Sequence, residues 1–386
     1  MRYLDSILGT LLKPIDRRQF RAIVQRHDGD AYDKSFKSWD HLVALIVGQL
    51  SHTDTLRGLE LAFNANGSQH YHLNVTKLAR ATLSDANKRR PVAVFADTIT
   101  MLSQMAGRSM RREGGQMVRL IDASPVPLNK LCGWATWNGR IRGMKMHVIY
   151  DPDADRPHAV AITAATVNDV EIGRQVAIEA GTTYVFDKGY CHLGWWQKIN
   201  DNGAFFVTRS KVNCRLRSSR RRPLRNAKGD GFRVLDDHEV VHLSRSNARR
   251  RLTTPLRRVR VRRDSGGIIT LITNDLSRPA VDIAALYKSR WQIELLFRWI
   301  KQHLRIRKFL GNSDNAIRLQ ILAAMIAYLL LRLAARLNAL HLPALRLAEL
   351  VRQFLFARRP IAEINKPPAR IAKPKSSPHQ LEFRYG

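Results

Sequence analysis

The chain has 386 residues, enough for one large core with appendages or for two or three domains. Its 65 Lys+Arg against 32 Asp+Glu give a formal net charge of +33, a self-repelling balance that calls for an anionic partner, and nucleic acid is the usual one. The basic excess is spread along the chain and not gathered on one helix face, which argues against an interfacial membrane anchor. The three cysteines (Cys132, Cys191 and Cys214) form no C-x-x-C pair, which excludes a disulfide framework and a zinc knuckle.

Residues 1–112 read as helical. "WDHLVALIVGQL" (39–50), "TDTLRGLELAFNA" (53–65) and "TLSDANKRRPVAVFADTITMLSQMAG" (82–107) carry apolar residues at mixed spacings of three and four. Thr53 and Ser84 are candidate N-caps, and Pro91 breaks or starts a helix. "ANKRRP" puts Lys88, Arg89 and Arg90 at a helix end, a DNA-contacting position in so basic a chain. His70 and His72 have no third metal ligand nearby.

The character changes near 117. "MVRLIDAS" (117–124), "GMKMHVIYDP" (143–152) and "HAVAITAATVND" (158–169) read as strands, and "EIGRQVAIEAG" (171–181) as a helix, with Asp169 a candidate N-cap. "TTYVFDKGY" (182–190) is a strand, "HLGWWQKIND" (192–201) a helix and "GAFFVTRS" (203–210) a fifth strand, together a mixed α/β sheet. The stretch 211–275 interrupts as a basic β-rich insertion. Its densest part, 209–263, has 19 Lys+Arg against 4 Asp+Glu, and Phe232 is the insertion's lone aromatic. "LRRVRVRR" predicts a strand with one positive face, turning at Gly266-Gly267. Helices follow at 314–340 and 343–357, so residues 311–362 form a helical C-terminal region. The tail 363–386 is Pro/Lys/Ser-rich and reads as disordered. "ILAAMIAYLLL" (321–331) is too short to span a bilayer and reads as a buried core helix. With no secretory leader pattern, a cytoplasmic, nucleoid-associated protein is expected.

Two acids, Asp122 in "LIDAS" and Asp187 in "FDKGY", each end a strand. On neighbouring strands their carboxylates would converge and repel unless a cation stood between them, and Mg²⁺ favours such oxygen donors. A third acid, Glu294, lies in "LYKSRWQIELLFRWIKQHL" (286–304), which reads as one amphipathic helix. At about 100° per residue, Tyr287, Arg290, Glu294, Arg298 and Lys301 fall within roughly 80° of one another, on the shoulder of the apolar face. A salt-bridge ladder Arg290–Glu294–Arg298 would supply a few tenths of a kcal/mol per pair. It explains neither the tyrosine at its head nor the lysine two turns past the acid. Trp299 lies away from this row and reads as packing.

The spacing Y-x2-R-x3-E-x6-K, carried by Tyr287, Arg290, Glu294 and Lys301, resembles the signature of DDE insertion-sequence transposases of the IS-four group. "LIDAS" and "FDKGY" resemble that family's two aspartate blocks, and "RATLSDANKRRP" its N-terminal region. The resemblance implies a ribonuclease H-like catalytic core (113–310), a helical DNA-binding domain (1–112), and a β-rich insertion between the second Asp and the Glu. It implies that Asp122, Asp187 and Glu294 bind two Mg²⁺ ions, with Mn²⁺ as a substitute. Tyr287, Arg290, Arg298, Lys301 and Lys188, with Lys88, Arg89 and Arg90, would grip double-stranded DNA at terminal inverted repeats and target. Cut-and-paste chemistry by a synaptic homodimer is then expected. A non-catalytic DNA-binding protein and a ribonuclease H-like nuclease without strand transfer are the competing readings. The family's base-stacking aromatic has no counterpart in the insertion.

Overall fold

The computed structural model describes residues 4–51, 53–107, 117–137, 139, 141–211, 214–224, 227–242, 252, 255–304 and 309–366. The boundary placed at 112/113 and most of the 363–386 tail lie outside them. Among the described residues seven α-helices come first: α1 (Ile7–Leu12), α2 (Arg17–Arg26), α3 (Ser38–Ser51), α4 (Leu56–Asn64), α5 (His70–Leu73), α6 (Arg80–Arg89) and α7 (Val92–Gly107). Pro91 separates the last two, as its missing N–H and locked φ require. The cap of α4 is Thr55, whose hydroxyl accepts the Gly58 N–H at 3.0 Å, and not Thr53. Ser84 lies inside α6 and is not its cap.

The central strands are β1 (Val118–Pro127), β2 (Gly143–Asp151), β3 (Arg156–Ala164), β4 (Thr183–Phe186) and β5 (Phe205–Arg209). Between β3 and β4 lies α8 (Asp169–Gln175), and between β4 and β5 lies α9 (Leu193–Asp201). Next come β6 (Leu216–Arg221), β7 (Lys228–Gly229), β8 (Phe232–His242), β9 (Leu256–Arg263) and β10 (Ile268–Thr273). The order is β3-β2-β1-β4-β5-β10-β9-β8-β6, with β7 paired to β8. Only β1–β4 and β4–β5 run parallel. The β-rich stretch therefore extends the central sheet: β10 pairs directly with β5. Its β9–β10 turn falls at Gly266 and Gly267, both at positive φ (91° and 82°) that a residue with a Cβ would resist.

The positive face expected of β9 is partly neutralised: Asp236 serves both Arg258 and Arg260, Arg262 stays exposed, and Arg257 lies on the opposite, buried face. Arg257 is 2% exposed and binds Asp237 of β8 through two hydrogen bonds of 2.8 and 2.7 Å. Arg260 pairs with Asp236 at 3.0 Å. A buried guanidinium persists only when paired, so the acids of "LDDHE" answer the arginines opposite them.

After the sheet come α10 (Ala280–Ser289), α11 (Trp291–His303), α12 (Asp314–Leu337) and α13 (Ala344–Phe354). The apolar helix runs longer than its sequence core suggested. At 24 residues α12 meets the length and composition of a membrane span, yet 89% of its apolar window is buried inside the protein. It packs against α3, α6, α7, α1, α13 and β3, so helices from both ends of the chain share one core with one face of the sheet. The N-terminal helices thus do not stand apart as a separate body. The other sheet face carries Ile121, Phe186 and Phe206 under Trp195 and Trp196 of α9.

His41 of α3 is fully buried in this helical layer and its Nε2 hydrogen-bonds the Asn87 side-chain Oδ1 at 2.8 Å. Burial pushes its pKa down to about 3. The folded state therefore binds the proton less well than the unfolded state, so stability is full above pH 6.5 and is lost as pH falls. The loss reaches about 2 kcal/mol by pH 5. Urea midpoints at pH 7.5 and 5.0 should show this drop in the parent protein and a much smaller one in His41→Gln, whose amide cannot titrate.

Candidate active site

The parallel pairing of β1 with β4 places Ile121 opposite Phe186, so Asp122 and Asp187 are the next residues on adjacent strands. Side chains alternate along a strand. Leu120 and Val185, two residues back, belong to the core shared with α11, and the carboxylates of Asp122 and Asp187 take that same face. Asp122 does not end its strand: β1 continues to Pro127 against β2. What ends at Ile121 is the parallel pairing, and that opens a gap in which a carboxylate is reachable.

Residues 286–304 form two helices and not one. Arg290 is the joint between α10 and α11, and three-residue hydrogen bonds bracket it: Arg290 N–H to Tyr287 O and Ile293 N–H to Arg290 O, each 3.2 Å. Its backbone stays in the right-handed helical region (φ −53°, ψ −27°), so the row of side chains survives the joint. Tyr287 Oη donates to Asp187 Oδ1 at 3.1 Å. Arg290 Nη1 donates to Asp122 Oδ2 at 3.0 Å and Nη2 to Glu294 Oε1 at 2.5 Å. One tyrosine and one arginine thus connect all three acids across two strands and a helix.

Burial pushes the Asp122 carboxyl up to about 6; Arg290 and the Ala123 N–H oppose this, and Glu294 and Asp187 add to it. Burial raises the Tyr287 hydroxyl to about 12, so it is a hydrogen-bond donor at neutral pH. For Arg290, burial works against the charge, but Tyr287, Asp122 and Glu294 outweigh it and its pKa rises.

Lys188 is exposed directly after Asp187, and Arg298 is exposed on α11 with its guanidinium 5.5 Å from the Trp291 ring. Lys301 is half-buried two turns along α11 from Glu294. Trp299 packs edge-on against Tyr328 at 4.9 Å, as its place on the helix suggested. Lys88 and Arg89 are exposed at the end of α6, Arg89 paired with Asp33 at 3.0 Å. Arg90 must be taken off the list of DNA contacts. It is 3% exposed, pairs with Asp33 and the Phe36 carbonyl, and lies over the Phe36 ring. Phe232 is buried in the core and has no face to offer a base. Asp169 is the first residue of α8, not its cap, and binds Lys145 Nζ at 3.0 Å. That pair went unread: a strand lysine twenty-four residues from an acid has no local spacing to announce it.

Three carboxylates with few competing donors suit a hard divalent cation, and a guanidinium already stands between two of them as a cationic substitute. Among the described residues no three such ligands lie close enough to share one ion as they stand. The residue types fit such an ion.

Residues 113–330 match the profile of the transposase DDE domain. The chain belongs to this family of DDE transposases. Relatives bearing transposase names agree. A Sinorhizobium fredii protein, y4zB, is 60% identical over 306 residues, covering 78% of this chain and 85% of that one. The protein of insertion sequence element IS5377 from Geobacillus stearothermophilus is 29% identical over 65% of this chain and 66% of its own. That of element IS4SA from a Synechocystis strain is 27% identical over 66% and 71%. These matches accord with the IS-four grouping and with a ribonuclease H-like core. Residues 4–75 match a domain of unknown function. A cryo-EM structure of the piggyBac transposase synaptic complex with hairpin DNA aligns at a TM-score of 0.48 and 9% identity, over 95% of this chain and 83% of that one, too distant to add weight.

The transposase's second aspartate block is braced from the α8 side. A Cβ on Gly173 would lie 3.0 Å from the Tyr190 ring and 3.2 Å from Trp195. Gly173→Leu, whose side chain is too large for that space, should therefore lower stability by about 1–3 kcal/mol and, by shifting the segment after Asp187, cut DNA cleavage at least tenfold. Thermal melting and a cleavage assay on one preparation check both.

Proposed function

We propose that this transposase cuts DNA at the inverted-repeat ends of its insertion sequence and joins the freed 3′ ends to target DNA. Convergence of Asp122, Asp187 and Glu294 on one side of the sheet carries this reading, with Tyr287 and Arg290 linking them. These three residues would hold divalent ions, Mg²⁺ or Mn²⁺. Bound there, a pair of ions supplies activation of water or a 3′-hydroxyl and neutralises the leaving oxygen.

The chain's own residues do the rest. Arg290 can pair with a phosphate through a planar fork, which a lysine cannot do. Tyr287 keeps its proton and holds Asp187 in one orientation. Lys188, Arg298 and Lys301 line the approach as cations for the flanking backbone, whose contacts give affinity without reading sequence. Lys88 and Arg89 offer a second, distant contact at the end of α6. Two such active sites acting on two ends require a pair of protomers, so a homodimer assembles with DNA.

The test is a plasmid carrying the gene's own flanking DNA, incubated with the full chain and Mg²⁺ or Mn²⁺ beside Glu294→Gln. Discrete cuts at the inverted repeats are expected from the parent protein. In the variant, cleavage should drop by at least a hundredfold while DNA binding persists. Binding without cleavage by the parent across metals and salt would mean that the family's chemistry has been lost and a DNA-binding relic remains.

A further inference from the structure

Arg290 has fewer free donors than its position suggests. Nη1 is committed to Asp122 Oδ2 and Nη2 to Glu294 Oε1. Nε is buried without a partner. The side chain is 16% exposed, so little of the guanidinium faces solvent. The oxygens it holds belong to two of the three carboxylates that an ion would need, and it cannot share them with a cation at full strength: like charges at contact distance repel. The bridge and a loaded ion are therefore alternatives. A phosphate is the natural third party. An anion offered to Arg290 gives its fork a new bidentate partner and releases the acids together.

We propose that Arg290 is the positioning residue that makes ion loading depend on DNA: without DNA it occupies the carboxylates, and a DNA phosphate draws it off so that ions enter. The proposal rests on the metal-dependent reading above. It gives an order to the reaction, DNA first and ions second, which keeps the hydrolytic centre idle until an end is bound. Two features suit the exchange. Arg290 lies at the joint between α10 and α11, where the regular four-residue hydrogen bonding is already interrupted. Asp187 is held separately by Tyr287, so one ligand stays in place while the other two are uncovered. By linkage, whatever factor DNA adds to ion affinity, ions add to DNA affinity.

The test is Mn²⁺ binding by the full chain, followed by electron paramagnetic resonance with no reaction required. The parent protein, Arg290→Gln, Arg290→Lys and Glu294→Gln are titrated with and without an inverted-repeat duplex. Circular dichroism melts establish that each is folded. Without DNA, Arg290→Gln should bind Mn²⁺ at least tenfold more tightly than the parent, because the resident cation is gone and the acids remain. Arg290→Lys, which keeps one charge but cannot span both acids, should fall between them, and it carries the test alone if the glutamine variant does not fold. The duplex should tighten Mn²⁺ binding to the parent by more than it does for Arg290→Gln. Equal DNA-free affinities in parent and variants, with binding still lost in Glu294→Gln, overturn the gate and leave the metal-dependent reading standing. Mn²⁺ binding that ignores Glu294 in every protein overturns both.

Discussion

The parallel register that sets Ile121 opposite Phe186 makes neighbours of Asp122 and Asp187, which are sixty-five positions apart in the chain. Strand alternation then turns both carboxylates toward the face on which α11 lies. A slip of one residue in that register would bring Asp122 opposite Phe186 and break the pairing of the acids. The register is held from both sides of the sheet. Leu120, Val185 and Val207 are buried in the large core, and Ile121, Phe186 and Phe206 in the smaller one. At the far end of β1, Asp151 pairs with Arg119 and Arg156 at 3.2 and 3.3 Å, all three nearly buried, which ties β1, β2 and β3 together. The site is the open end of a sheet whose other end is closed by charge.

That open end is a local inversion of the molecule's electrostatics. A chain of net charge +33 gathers three carboxylates here, two of them on one guanidinium and the third on a tyrosine hydroxyl. Burial makes ionised Asp122 costly, and its neighbours Glu294 and Asp187 make it costlier, while Arg290 offsets part of that. The imbalance leaves net negative charge at the centre. The basic surroundings let a polyanion approach a centre that would otherwise repel it.

Much of this was legible in the sequence, because strands and helices that carry strong periodicity declare themselves. Strands β1 to β5 and the Gly266-Gly267 turn lie where the pattern puts them, while the helix expected at 171–181 spans Asp169–Gln175 and ends well before Gly181. The row from Tyr287 to Glu294 lies along one side as the angular count expects, although its helix is two and not one. A joint in helical φ/ψ leaves side-chain spacing almost unchanged, so the angular count could not detect it. What failed to show was pairing at long range. "KRRP" and "LRRVRVRR" look like uniform cation supply, but Arg90 answers Asp33 and Arg257 answers Asp237. Composition counts charges and does not say which are consumed inside the fold. The same blindness hid Lys145–Asp169 and the continuity of β10 with β5.

Once the internal pairs are set aside, part of the remaining basic excess among the described residues lies on the outer strands of the sheet. Arg257, Arg258 and Arg260 of β9 face the acids of β8, leaving Arg262 and Arg263 exposed at the strand's end. At the margin of the sheet, β6 carries Arg217, Arg220 and Arg221 exposed, with Arg233 exposed on β8. An uncovered strand edge is a template for adding another chain, and like charges along it oppose such pairing. Exposed cations of this kind are the groups whose contact with a phosphate backbone releases counterions. Because the sheet is continuous, that edge is built on the same hydrogen-bonded strands as β1 and β4, which carry the site.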